Sequence, residues 1–137
     1  MMRRLSRVVT AAAGALAIAL SLVSCAGAAE KTVDHTAESV VLTPGEALIV
    51  DFGEVNATVG QEWSITEEPD AAVLAPGEKR STYLGEPGET GAPSELSYRF
   101  APAGEGTTVI EFEFLFRGSV PEDPDDRKTA KIEVTVK

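Results

Sequence analysis

The chain has 137 residues, 22 acidic against 12 basic side chains, a formal net charge of −10, one cysteine and one histidine. That length suits one compact domain with a single core, and the acidity opposes both nucleic acid and an anionic lipid surface. A single cysteine excludes an internal disulfide, and no Cys/His spacing offers zinc a ligand set, so stability has to come from packing.

At the N-terminus, Arg3, Arg4 and Arg7 precede an uncharged, Ala/Leu/Val-rich run from Val8 to Val23. Charge, apolar run and small residues in that order are the layout of a secretory signal peptide. The run is shorter than the roughly 20 apolar residues that a membrane-spanning helix needs. Leu22-Val23-Ser24-Cys25 resembles the lipobox of bacterial lipoproteins. The resemblance implies a signal peptide over residues 1–24 and lipid on Cys25. The chain would then sit on the extracytoplasmic face of a bacterial cell membrane, which it meets through that lipid. Ordinary signal cleavage near Ala26 or Ala29 is the alternative. Loss of residues 1–24 removes three of the 12 basic residues and no acidic one, which makes the remainder more acidic still. Residues 25–38 are small and polar with no apolar period, and read as the lipidated cysteine and a tether. His35 falls in this tether and reads as solvated.

From Ser39 onward the apolar residues recur with period two. Val40 and Leu42 form a short strand ending at Pro44-Gly45, followed by Leu48, Val50 and Phe52 alternating with Ala47, Ile49 and Asp51. Trp63 with Ile65, then Leu96, Tyr98 and Phe100, continue the pattern, and Trp63 reads as core. The clearest run is Thr108, Ile110, Phe112, Phe114 and Phe116, whose five side chains would supply much of the core; Ile132, Val134 and Val136 close the chain. Such alternation puts one set of side chains on a buried sheet face and the other in water. Gly/Pro turns divide the runs, and no stretch of ten residues has a helical period. The expected fold is all-β: an immunoglobulin-like antiparallel β-sandwich of about seven strands over residues 39–137.

Enzyme chemistry is missing. A nucleophile needs a positioned base, yet the one thiol is assigned to lipid and the one histidine to the tether. Glu67-Glu68-Pro69-Asp70 and Glu122-Asp123-Pro124-Asp125-Asp126 offer oxygen ligands of the kind calcium takes, but they lack the regular ligand spacing of a calcium loop and read as solvated turns. No cofactor, no metal and no catalytic residue is expected. Function then lies in loops on a rigid scaffold. Three are long: 53–60, 85–93 and 117–127. Alternate connections of a sandwich emerge at one end, so these three would form one surface.

Those loops resemble the chagasin-type inhibitors of papain-like cysteine peptidases, over about Ser39 to Lys137. Thr43-Pro44-Gly45-Glu46-Ala47-Leu48-Ile49-Val50 is similar to the turn and strand that open such domains. Asn56-Ala57-Thr58-Val59-Gly60-Gln61-Glu62-Trp63 is similar to the family's first loop, Asn-Pro-Thr-Thr-Gly and then Trp after two further residues; it keeps Asn56, Thr58, Gly60 and Trp63 and lacks the proline and the second threonine. Gly85 to Gly91, with Gly88 inside it, followed by an aromatic strand, is similar to the glycine-rich second loop. Gly106-Thr107-Thr108 matches the next strand. The third loop of the family begins Arg-Pro-Trp, and Arg117-Gly118-Ser119 keeps only the arginine.

The resemblance implies a lipid-anchored inhibitor. Asn56, Ala57, Thr58, Val59 and Gly60 would enter a peptidase cleft, with Thr58 nearest the catalytic cysteine, while the loops of Gly88, Gly91 and Arg117 grip the walls. Read without it, Gly60 makes a turn and Asn56 tolerates a left-handed backbone. The alternative function is a non-inhibitory module that binds another envelope protein through the acidic third loop.

Overall fold

The computed structural model describes residues 29–137; the expected signal peptide and Cys25 lie outside them. Among the described residues, the alternating apolar positions and their neighbours become eight strands: β1 (Glu30–Asp34), β2 (Ser39–Leu42), β3 (Ala47–Val55), β4 (Gln61–Glu67), β5 (Glu78–Tyr83), β6 (Ser94–Phe100), β7 (Gly106–Phe116) and β8 (Thr129–Val136). They form two four-stranded sheets, ordered β1-β3-β6-β5 and β2-β8-β7-β4, packed as an immunoglobulin-like sandwich. The sandwich is not wholly antiparallel, because β1 runs parallel to β3 and β2 parallel to β8.

The inward residues of both sheets make one core. Leu48, Val50, Phe52, Leu96, Tyr98 and Phe100 face Val40, Leu42, Trp63, Ile110, Phe112, Ile132 and Val134. Phe112 sits in the middle, edge-on to Phe52 at 4.9 Å and to Phe100 at 6.2 Å, and tilted against Tyr98 at 5.4 Å. The buried Tyr98 hydroxyl donates to the Trp63 carbonyl at 2.7 Å and so ties the two sheets together. Burial, then the negative charges of Glu62 and Glu68, push this phenol above its ordinary value.

Four expectations are corrected. The first concerns the tether. Residues 30–34 form β1, in register from Glu30↔Ala47 to Asp34↔Asp51. Only Val33 of this strand packs on the core, so no apolar period announces it. Polar contacts hold it instead: Arg99 Nε donates to Glu30 Oε1 at 2.8 Å, and Lys31 Nζ donates to the Val41 carbonyl at 3.0 Å. The second is His35. It is half-buried, stacked on Phe52 at 5.1 Å and tilted against Trp63 at 5.2 Å. The third is the set of strand runs, which does not include β5: its six residues are all exposed and polar or aromatic and it pairs only with β6; an edge strand with no buried face carries no alternation to read. The fourth is the Phe-rich strand. Ile110 and Phe112 are fully buried and Thr108 nearly so, but Phe114 is half-buried and Phe116 is 41% exposed. β7 is eleven residues long and runs on past the part of the core that the facing sheet covers.

Ala47 and Ile49, on the outward side of β3, are buried as well. Ile49 stands between Thr32 and the partly buried Arg99 in the sheet.

A polar hinge links β1 to β2. The Thr36 hydroxyl and amide both donate to Asp34 Oδ1, at 2.6 and 2.8 Å. The hydroxyl first and the amide second hold the Asp34 carboxyl below its ordinary value of 3.8. A lowered carboxylate contributes stability that is present above pH 3.8 and is lost as the pH falls through its folded value. Acid titration of stability, followed by circular dichroism, should therefore show a smaller loss below pH 3.8 in Asp34→Asn than in the parent chain; equal slopes would place the acid sensitivity elsewhere.

The sheet directions define two poles. β3 climbs from the Pro44-Gly45 turn, and β4, β5–β6 and β7–β8 meet their connections at the opposite, upper pole. β1 begins beside Ala47 and so enters from the lower pole.

Candidate functional site at the upper pole

β3 extends to Val55, so the first loop is shorter than its sequence suggests and consists of residues 56–60 around a single 3-10 turn, Ala57–Val59. Asn56 organises it. Its backbone is extended (φ −98°, ψ 91°) rather than left-handed, and its side-chain oxygen accepts from the Thr58 amide at 3.1 Å, capping the turn. The Asn56 amide donates to Gln61 Oε1 at 3.0 Å, and its side-chain nitrogen donates to the Gly91 carbonyl of the second loop at 3.1 Å. One asparagine thus shapes the first loop and fastens it to the second.

Gly60 fastens it to the third. Its amide closes the turn on the Ala57 carbonyl at 3.0 Å, and its carbonyl accepts from the Arg117 amide at 2.7 Å. Its φ is +98°, and a Cβ there would lie 2.7 Å from Arg117 Cγ and 3.0 Å from the Arg117 amide nitrogen. Both the backbone conformation and the close approach require glycine. Arg117 takes up the strain: at φ 52° it is the one non-glycine residue with positive φ among the described residues. With Gly118 at φ 78° it forms a tight reversal, closed by Phe116 N to Ser119 O at 2.8 Å and Ser119 N to Phe116 O at 3.2 Å. Two successive positive φ values are what the tightest two-residue reversals require.

The second loop is tied rather than slack. Tyr83 donates its hydroxyl to the Glu89 carbonyl at 2.7 Å, the Glu86 amide donates to Glu89 Oε2 at 2.8 Å, and Gly88 and Gly91 take φ 85° and 86°. In the third loop, Asp123 caps the turn Pro124–Asp126, and Arg127 donates to the carbonyls of Pro121 at 2.9 Å and Glu122 at 3.1 Å. The other acidic group, Glu67 to Asp70, is spent on turns: Glu68 accepts from the Gly77 amide at 3.1 Å and Asp70 from the Ala72 amide at 2.9 Å.

All the loop residues singled out in the sequence therefore lie on one continuous surface, with the first loop in the middle. Ala57, Thr58 and Val59 form its exposed tip. The pattern also hid part of it. Of the six exposed large apolar side chains among the described residues, Val59, Tyr83, Leu84, Phe116 and Val120 belong to this pole, and only Val41 lies elsewhere. Gln61, which braces Asn56, was not signalled either. Trp63 is core, 5% exposed and edge-on to Phe114 at 5.6 Å.

The architecture is a chagasin-like, immunoglobulin-type sandwich. No protein-family model matches the sequence, and a search of curated proteins gives no match. Solved structures do match. The chain is similar to the cysteine protease inhibitor EhICP2 from Entamoeba histolytica, with TM-score 0.59 and 16% identity over 80% of this chain and 96% of that one. It is similar to amebosin, with TM-score 0.61 and 14% identity over 81% of this chain and all of the other. It is also similar to PbICP-C, solved in complex with falcipain-2, with TM-score 0.51 and 16% identity over 80% and 91% of the two chains. At these identities the likeness establishes the fold.

Proposed function

We propose that this protein is not an enzyme but an inhibitor of papain-like cysteine peptidases, which it blocks by inserting the upper-pole loops into the active-site cleft. The observation that carries the reading is the interlock: Asn56 and Gly60 join three loops into one preformed wedge with an apolar tip. Preformed loops lose little conformational freedom on binding, which favours tight association. Thr58 at the tip is the residue nearest the catalytic cysteine, and the loops of Gly88, Gly91 and Arg117 contact the cleft walls. One structural neighbour is a cysteine protease inhibitor and another was solved in complex with falcipain-2, and both support the partner class. Lipid on Cys25 would hold the inhibitor at the extracytoplasmic face of the membrane.

The test is titration of papain with the chain from residue 26 onward, which contains every described strand. Inhibition at or below micromolar concentration is expected. Thr58→Arg should weaken it at least ~100-fold, about 2.7 kcal/mol, with the melting temperature unchanged because residue 58 is exposed. No inhibition of papain or of a cathepsin would reject the reading for those enzymes. The other reading, an envelope protein-binding module without inhibitory activity, is favoured by one observation, Gly118-Ser119 after Arg117 where the family carries Pro-Trp after its arginine. Capture of an envelope protein that leaves peptidase activity untouched would establish it.

A further inference from the structure

The second loop presents an aromatic ring that is fixed before any partner arrives. Tyr83, at the end of β5, is 46% exposed, and Leu84 beside it is 43% exposed. The Tyr83 hydroxyl donates to the Glu89 carbonyl at 2.7 Å and accepts from the Ala92 amide at 3.4 Å. Gly85 passes directly against the ring, where any Cβ would collide with it. The Leu84 amide donates to the Pro93 carbonyl at 3.0 Å and closes the base of the loop. A half-exposed ring held in this way offers apolar area at little cost in side-chain freedom, which suits it to anchor a protein interface.

Charge names the partner. From residue 81 to residue 98 the chain has no lysine or arginine, but it has Glu86, Glu89 and Glu95. Glu54 stands directly opposite Glu95 in the β3–β6 register, a like-charge pair that costs stability. All four glutamates are exposed, and among the described residues none of them is in an ion pair. The cations of the neighbouring strands are already balanced. Lys79 pairs with Glu62 at 2.7 Å, while Arg80 and Arg99 converge on Glu30 at 3.9 and 2.8 Å, with Glu78 opposite Arg99 in the register. Nothing is left over to cancel Glu54, Glu86, Glu89 and Glu95. On the other flank, Arg117, Arg127 and Lys128 offset all but one of the charges of Glu122, Asp123, Asp125 and Asp126. The wedge is thus lopsided about the first loop, acidic on the second-loop side and nearly neutral on the third-loop side.

From this asymmetry we infer that the preferred target is a papain-like peptidase whose cleft wall beside the second loop is basic, with Tyr83 and Leu84 packed against that wall. The inference rests on the inhibitor reading; within it, it names the target class and the way round that the wedge enters. Opposite charge speeds the encounter and turns away an acidic wall, and the apolar pair then slows departure.

Association and dissociation rates of the full chain, kept in non-ionic detergent, should be measured against papain-like peptidases whose cleft rims range from basic to acidic. At about 20 mM salt, association is expected to be at least about tenfold faster with basic rims, and at about 500 mM the difference should vanish. E54Q/E86Q/E95Q, which leaves Glu89 to accept from the backbone amide of residue 86, should lose the advantage at a melting temperature no lower than the parent's. E46Q/E105Q/E133Q removes as many charges away from the upper pole and should keep it. Leu84→Ser should raise the dissociation rate at least tenfold at an unchanged melting temperature. Rates that ignore rim charge, or equal losses in the two triple variants, would overturn the basic wall beside the second loop. An unchanged dissociation rate in Leu84→Ser would overturn the apolar anchor. Failure of the parent chain to inhibit any member of the set would instead reject the inhibitor reading, and this inference with it.

Discussion

Phe112→Ala is expected to leave most of the protein unfolded at 25 °C, or to shift its urea midpoint by an amount equivalent to about 3–5 kcal/mol. That loss is a large part of the roughly 5–15 kcal/mol that holds a small domain together. The size of the effect follows from position. Phe112 is 1% exposed and touches the rings of Phe52, Tyr98 and Phe100 from the other sheet. Truncation removes burial and also opens a void between two sheets that cannot close on it, because β7 is fixed by pairing with both β4 and β8. Phe116→Ala, four residues on in the same strand, is the control: it should cost less than about 1 kcal/mol, since an exposed ring leaves no cavity. Equal losses at the two positions would disprove this picture of the core.

Gly60→Ala should disable the wedge. The new Cβ meets both strain at φ +98° and a collision with the Arg117 backbone, whose amide nitrogen it would approach to 3.0 Å. Conformational strain alone costs about 1–3 kcal/mol. Gly45→Ala separates the two causes, because Gly45 has φ +80° with nothing within 4 Å of its Cβ position. Gly45→Ala should lower stability by the strain alone and leave papain inhibition intact. Gly60→Ala should lower stability further and weaken inhibition more than ~100-fold, about 2.7 kcal/mol, as the third loop is pushed off the first. Matching inhibition constants for the two variants would show that the Gly60–Arg117 contact does not organise the binding surface.

Much of this molecule is legible in its sequence, and the exceptions share a cause. Period-two alternation finds strands that bury one face, so β2, β3, β4, β6, β7 and β8 are visible. β1 and β5 bury little and are held by backbone pairing and ion contacts, such as Arg99 with Glu30, which leave no periodic trace. The same alternation misleads at the end of β7, where the pattern continues through Phe116 but the opposing sheet does not. Asn56 and Gly60 stand out in the sequence through resemblance, yet their roles become plain only in three dimensions. The asparagine is a brace between loops, reaching Gly91 35 positions away, and the glycine makes room for Arg117. Long-range reach of this kind depends on which connections share a pole.

The parallel pairing of β1 with β3 has a consequence for how the protein would stand on a membrane. The chain enters the sandwich at the lower pole, with Glu30 beside Ala47, while Asn56 lies beyond the far end of the nine-residue β3. At roughly 3.3 Å per residue that strand holds the loops about 30 Å from the point of entry. Glu30 follows Cys25 by only five residues, a span of at most about 17 Å when fully drawn out. With lipid on Cys25, as proposed, the molecule resembles a short-stemmed post with its working end uppermost. It would meet peptidases arriving from the surroundings with the end that lies farthest from the point of entry.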